Sequence, residues 1–198
     1  LKRTSEDAFL IVSIYPLLTG IMLSFQNSSL YKGNEKKFVG LKNIITILTS
    51  DAEFRSDLLF TVIYTIGIVV IAYITGLVFS LLLNADVPCR TLFRVLILIP
   101  WVISPAVSSM SWSWLLSDQY GFFNNFLKSI GVIDKSILFL ADKTLAKIMV
   151  IIIGAWRNFP FITVSLLAGL QGISKDYYEA ADIDGANKFQ RFRYVTFP

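Results

Sequence analysis

LLFTVIYTIGIVVIAYITGLVFSLLL, residues 58–83, runs for 26 positions without a charged side chain. A helix needs about 20 predominantly apolar residues, each rising 1.5 Å, to cross about 30 Å of hydrocarbon. This stretch is long enough. It lacks the period-2 alternation of a membrane barrel strand, and it is not a narrow apolar stripe with a polar back. Working outward, residues 8–27 contain FLIVSIYPLLTGIMLSF, also free of charge, and residues 95–116 and 148–170 form two further spans. Arg157 is the single charge within the last of them. The first span is too long, and too poor in a following small-residue cleavage site, to read as a signal peptide. The expectation is an all-α, polytopic membrane protein with about four transmembrane helices.

Composition agrees. Of 198 residues, 55% are hydrophobic and only 16% charged, where a soluble domain carries about a quarter charged. The mean hydropathy is +0.63 and the pI near 9.2. A net charge of +4, dispersed along the chain, argues against a nucleic-acid partner. The absence of histidine excludes imidazole catalysis and imidazole metal sites, and a single cysteine, Cys89, excludes a disulfide framework. No GxxxxGK[ST] phosphate loop occurs among the glycines, so any nucleotide energy must come from another subunit. The paired carboxylates Asp182 and Asp184 fall in a polar tail, not in a pocket suited to acid–base work.

Proline and glycine interrupt the spans at Pro16, Gly20, Gly67, Gly76, Pro100, Pro105, Gly154 and Pro160. In lipid such breaks survive where neighbouring helices or a water-lined cavity satisfy the freed backbone groups. They are either packing kinks or the lining of a path through the bilayer. Between the spans, residues 41–48 suggest a short amphipathic surface helix, and QYGFFNNFLKSIGV suggests another, closed by Gly131. Residues 84–94 read as a tight connection. Counting lysine and arginine does not orient the chain: with the N-terminus inside, the inner segments hold eight and the outer ones nine.

The tail LAGLQGISKDYYEAADIDGANKFQRFRYVTFP, residues 167–198, is the most informative stretch. Ser174 is placed to cap a helix through Tyr177, Glu179, Ala180 and Ala181. Gly185 tolerates the left-handed conformation that ends helices. A second helix should follow, with Phe189, Phe192 and Val195 on one face and Pro198 closing it. The plainest account of such a helix–turn–helix is a peripheral segment lying on anionic lipid.

These residues resemble the EAA loop of permease subunits of binding-protein-dependent ATP-binding-cassette importers. The family's pattern of Glu-Ala-Ala, Asp-Gly-Ala, then Phe, an aliphatic residue and Leu-Pro is met by Glu179, Ala180, Ala181, Asp184, Gly185, Ala186, Phe192, Val195 and Pro198. Phe197 stands where leucine is usual. FVGLKNIITIL (residues 38–48) is similar to the FxGLxNY segment of the carbohydrate-type branch, with Ile44 at the tyrosine place. LILIPWVISPAVSSMSWSWLL, YGFFNNFL and GAWRNFPFITVSLLAGLQGI also resemble that branch, so the likeness covers nearly the whole chain.

The resemblance implies a multi-pass subunit of the cell (inner) membrane. Its N-terminus and EAA loop, residues 174–198, would be cytoplasmic. It would form half of a translocation path for a solute delivered by an external or periplasmic binding protein, the carbohydrate branch pointing to a sugar or oligosaccharide. Glu179 would contact a separate ATPase, which would hold ATP and magnesium, the permease itself needing no cofactor. Ala180 and Ala181 would allow close approach, and Gly185 would set the turn. A second permease subunit, in a heterodimer, and membrane lipid are the other implied partners. The family continues beyond the position of Pro198 with further membrane helices, so the sequence is expected to be a fragment. Other readings are a permease for a different solute, or a membrane scaffold or sensor that moves nothing.

Arg157 is the remaining candidate. A charge at membrane depth costs about 2.5–3.5 kcal/mol on insertion scales, and snorkelling is strained ten residues beyond Lys147, about 15 Å along a helix. It should face a bundle interior or a water-filled cavity beside Trp156 and Asn158, a combination suited to sugar. Equally, it would pair with a carboxylate or carbonyl of the partner permease. Trp101, Trp112 and Trp114 read as interface anchors.

Overall fold

A computed structural model describes residues 10–27, 37–85 and 88–198. The start of the first expected span at residues 8 and 9, and most of the polar connection after it, lie outside the described residues. The chain divides into two units, Leu1–Val62 and Ile63–Pro198, and the longest helix runs through the boundary.

In the first unit a π-helical turn, Leu10–Ile14, leads into α1, Tyr15–Ser24, with Pro16 in its first turn, where a missing N–H costs nothing. A two-residue ribbon then pairs β1, Gln26–Asn27, with β2, Lys37–Phe38. Gly40, at φ +56°, turns the chain into α2, Lys42–Ser50. The Asn43 amide donates to the carbonyls of Ser24 (2.9 Å) and Gln26 (3.0 Å), tying the start of α2 to the end of α1. This gives the Gly-Leu-Lys-Asn segment a structural purpose. The expected surface helix is α2, shifted by a residue or two. The Asp51 carboxylate accepts from the Phe54 N–H at 2.9 Å at the start of α3, Ala52–Asn84.

The second unit is built on the last two-thirds of α3, on α4 (Arg90–Val102), α5 (Pro105–Leu115) and α6 (Phe122–Ser129), and on the long α7 (Lys143–Gly172). Contacts between α3 and α7 rise together along both helices. Gly67 faces Ile151, Gly154 faces Ile68, and Gly76 faces Ile162 and the Thr163 backbone. The two therefore run in the same direction. Ala72 and Ser80 on α3, with Ala155 and Thr163 on α7, are buried beside them. Lipid offers no hydrophobic drive between helices, so close backbone approach through small residues takes its place. At these glycines the opposing Ile151, Ile68 and Ile162 side chains pack directly against the helix backbone, where dispersion contacts form.

α4 packs against α7 in the opposite sense, Trp101 meeting Phe161 with ring centroids 5.9 Å apart. Among the described residues α3 and α7 are long and apolar enough to cross a membrane, and α4 with α5 supplies a third span if the bent pair is counted as one. The first expected span is represented among the described residues by a shorter apolar helix, Val12–Ser24, its start lying outside them. Within the span expected over 95–116, interrupted by proline, α4 and α5 meet at 93°. Pro105 is the cause. Its ring disfavours the α conformation at the residue before it, and Ser104 lies at φ −54°, ψ 139°. Pro100 and Pro160 sit inside α4 and α7 without ending them, each buried.

α6 is held to the loop after it by Asn124, which is 1% exposed. Its amide donates to the carbonyls of Ser117 and Ile137, and its oxygen accepts from the Ile137 N–H at 2.7 Å. Gly131 follows α6 at φ +72°, in the closing place expected for it.

Candidate functional site

α7 ends at Gly172, and after Ile173 the Ser174 hydroxyl accepts from the Asp176 N–H (3.3 Å) as the cap of α8, Lys175–Ile183. Gly185 stands at φ +73°, a conformation that costs an L-residue about 1–2 kcal/mol. The turn is stitched by Gly185 N–H to Asp182 O (3.1 Å) and Ala186 N–H to Ala181 O (2.9 Å), which use up orphan carbonyls of α8. Asn187 and Gln190 then form a capping box, each side chain accepting from the other's backbone N–H, and start α9, Lys188–Arg191. The sequence carries the signal for this box as Asn-x-x-Gln, residues 187–190.

The second helix does not keep α geometry to the end. Phe192–Thr196 is a π-helical turn, so Phe192 and Val195 do not share the simple stripe with Phe189, which is 67% exposed. Phe197 instead folds back, its N–H bonding the Phe192 carbonyl (2.8 Å) and its ring lying 5.8 Å from that of Phe192. Thr196, Phe197 and Pro198 line a hollow of about 330 Å³ with Tyr73, Leu77 and Leu170. Asp182, which carried no role in the sequence reading, receives the Arg191 guanidinium at 2.7 Å. Arg191 also stands 5.9 Å from the Tyr178 ring, and the Tyr178 hydroxyl lies 3.1 Å from that of Thr196. Glu179, Ala180, Asp184 and Gly185 are exposed, with Ala181, Ala186 and Phe192 half-buried beside them.

The three membrane candidates separate. Arg157 lines a cavity of about 300 Å³ with Tyr64, Ser108, Trp112, Ser113 and Leu140. It makes no ion pair among the described residues, so its charge is left to the cavity. Trp156 is engaged elsewhere, edge-on to Trp112 at 5.3 Å, while Trp112 stacks on Phe123 at 6.0 Å. One N–H of the Asn158 amide donates within its own helix to the Gly154 carbonyl at 2.8 Å, and Asn158 is not among the residues lining this cavity. Trp112, expected as an interface anchor, thus belongs to this aromatic cluster and to the cavity wall.

Residues 68–198 match the family described as binding-protein-dependent transport system inner membrane component. The chain is 38% identical over 164 residues to the trehalose/maltose transport system permease protein MalF of Thermococcus litoralis, covering 83% of this chain and 55% of that protein. It is 34% identical over 201 residues to the maltodextrin transport system permease protein MdxF of Bacillus subtilis, covering 94% and 46%. In fold it is similar to a bacterial ABC transporter involved in the import of the acidic polysaccharide alginate. There the TM-score is 0.80 at 21% identity, over 98% of this chain and 64% of that one. The chain thus spans about half the length of the curated relatives it matches. With the bundle, the turn and these likenesses together, the chain belongs to the inner-membrane component family of binding-protein-dependent transport systems.

Proposed function

We propose that this chain is part of the permease subunit of an ATP-driven importer, forming half of a translocation path for a sugar or oligosaccharide handed over by an external binding protein. The observation that carries the reading is the join of α7 to α8. An exposed Glu179 is presented on a helix braced by Gly185 and by Asp182–Arg191, one residue pair away from a membrane helix that holds Arg157 against a cavity. In this reading Glu179, Ala180, Ala181, Asp184, Gly185, Ala186, Phe192 and Pro198 form the surface that meets a separate ATPase, where ATP and magnesium reside. A second permease subunit completes the path. The carbohydrate reading draws support from relatives named for trehalose, maltose and maltodextrin.

The N-terminus and the 174–198 loop are assigned to the cytoplasmic side. Supporting this, α3 and α7 run together and α4 against them, which brings the end of α3, the start of α4 and the tail to the same side. The test uses the full-length permease. Replacing Glu179 by alanine should lower co-purification of the ATPase on the order of tenfold, the weight of a central interface residue. Proteoliposomes with candidate binding proteins should then show ATP hydrolysis stimulated by a maltose-type sugar in the wild type. Assembly without stimulation by any solute would favour a scaffold, and stimulation by a non-carbohydrate solute would replace the cargo.

A further inference from the structure

We propose that Arg90, Arg94 and Gln171 form a site for the phosphate of an anionic phospholipid, one acyl chain of which lies in the adjoining aliphatic groove. Arg90 and Arg94 stand four residues apart in the first turns of α4, on one face, where like charges repel. Gln171, at the end of α7, lies between them. With its amide oxygen facing them, it accepts from Arg90 Nη2 at 3.2 Å and from Arg94 Nη2 at 3.0 Å. A neutral amide offsets neither charge. The Nε atoms of both guanidiniums are buried without a partner, and no carboxylate pairs with either arginine among the described residues. Two guanidiniums converging on one neutral amide, with no carboxylate paired to them among the described residues, leave their charge to be met by an anion.

The start of α4 adds to the demand. Among the described residues no side chain caps the helix: Cys89, which precedes it, makes no cap hydrogen bond, and the positive end of a 13-residue helix lies beside the arginines. A phosphodiester carries one charge on two unbridged oxygens, which matches two converging guanidinium forks.

What selects a lipid over a soluble anion is the groove. A hollow of about 270 Å³ is lined by Leu83, Ile97, Leu98, Val164, Leu167 and Ala168, with Arg94 and Gln171 also on its wall. Arg94 precedes the aliphatic residues on α4, and Gln171 follows them on α7. Because these helices run antiparallel, both polar groups stand at the same end of an apolar slot that extends along the membrane helices. A charged head and an aliphatic tail in that order are those of a phospholipid. Basic pockets between transmembrane helices commonly hold such headgroups.

The experiment uses the full-length permease in its assembled complex, in nanodiscs with equal phosphatidylcholine and phosphatidylglycerol. Native mass spectrometry reads the ratio of the two lipids retained. The wild type should favour phosphatidylglycerol, and R90Q/R94Q should lower that preference about 30-fold, one surface-charge increment for each arginine. R90K/R94K should keep most of it. Ala168→Phe, which fills the groove and leaves both arginines in place, should lower it as well. Inorganic phosphate should not displace the lipid.

An unchanged ratio in R90Q/R94Q overturns the proposal, as does displacement by phosphate at comparable concentration, which would make this a small-anion site. Loss of the second permease subunit with an unchanged lipid ratio would assign the arginines to a protein carboxylate. Should the double variant fail to assemble, A168F decides the matter: undiminished retention there overturns the lipid site.

Discussion

Arg191 reaches back across the Gly185 turn to hold both carboxylate oxygens of Asp182 through one guanidinium nitrogen, at 2.7 and 2.9 Å. The pair clasps the end of α8 to the end of α9, while the Tyr178 hydroxyl beside that of Thr196 adds a second fastening between the same segments.

Both partners of this clasp are partly exposed, at 37% and 54%. Solvent screening keeps such a pair within about 0.2–1 kcal/mol. Asp182→Asn should therefore leave the melting temperature of the full-length permease within about two degrees. Local opening should still increase, read as faster hydrogen exchange at the Gly185 and Ala186 amides. Unchanged exchange there would deny the pair its role in holding the turn.

At Gly185 the strain of a left-handed L-residue sets the expectation. Gly185→Val should cost about 1–2 kcal/mol locally and re-aim α9, so that ATPase co-purification falls while the membrane bundle persists. Gly185→Asn, whose side chain tolerates this conformation, should recover most of the loss. Equal behaviour of the two variants would show that conformation at this position is not what matters.

The glycines of the bundle divide into two kinds. A Cβ at Gly76 would meet Ile162 Cγ2 at 2.8 Å and the Thr163 backbone nitrogen at 3.2 Å, whereas one at Gly169 meets nothing within 4 Å. Gly76→Leu should destabilise by about 1–3 kcal/mol through overpacking. Gly169→Ala should be neutral or stabilise by up to about 1 kcal/mol through helix propensity. Thermal unfolding in one detergent compares them. Similar shifts for both would contradict the close α3–α7 approach.

Arg157 faces its cavity without an ion pair among the described residues. Arg157→Leu should reduce uptake by about tenfold or more, while assembly with the ATPase stays intact and stability rises or holds, since an uncompensated charge is removed. Normal uptake by this variant would take Arg157 out of the path.

Much of this was legible in the residues. Long apolar runs marked α3 and α7, the first free of charge and the second holding Arg157 alone, because little competes with a membrane helix over such a length. Ser174, Gly131 and Gly185 announced their cap and turns, since each obeys a local rule of backbone chemistry. Long-range geometry was not legible. Pro105 reads from sequence as a break in a span, either a packing kink or part of a path, and nothing local gives the 93° by which the chain turns there. The stretch from Arg90 to Arg94 read as connection because its charges hid a helix start, and only the fold brings Gln171 between them. The separate engagements of Trp156 and Asn158 likewise depend on partners distant in sequence or on a turn of helix that composition does not order.

Between α7 and α8 stand Ile173 and Ser174 alone, both in extended backbone. Such a joint has a hinge and almost no slack. Arg157 lies 16 residues upstream of it on an unbroken helix, about 24 Å at 1.5 Å per residue. A displacement of α8 along the axis of α7 would have only these two residues in which to be taken up before it reached the helix that lines the Arg157 cavity.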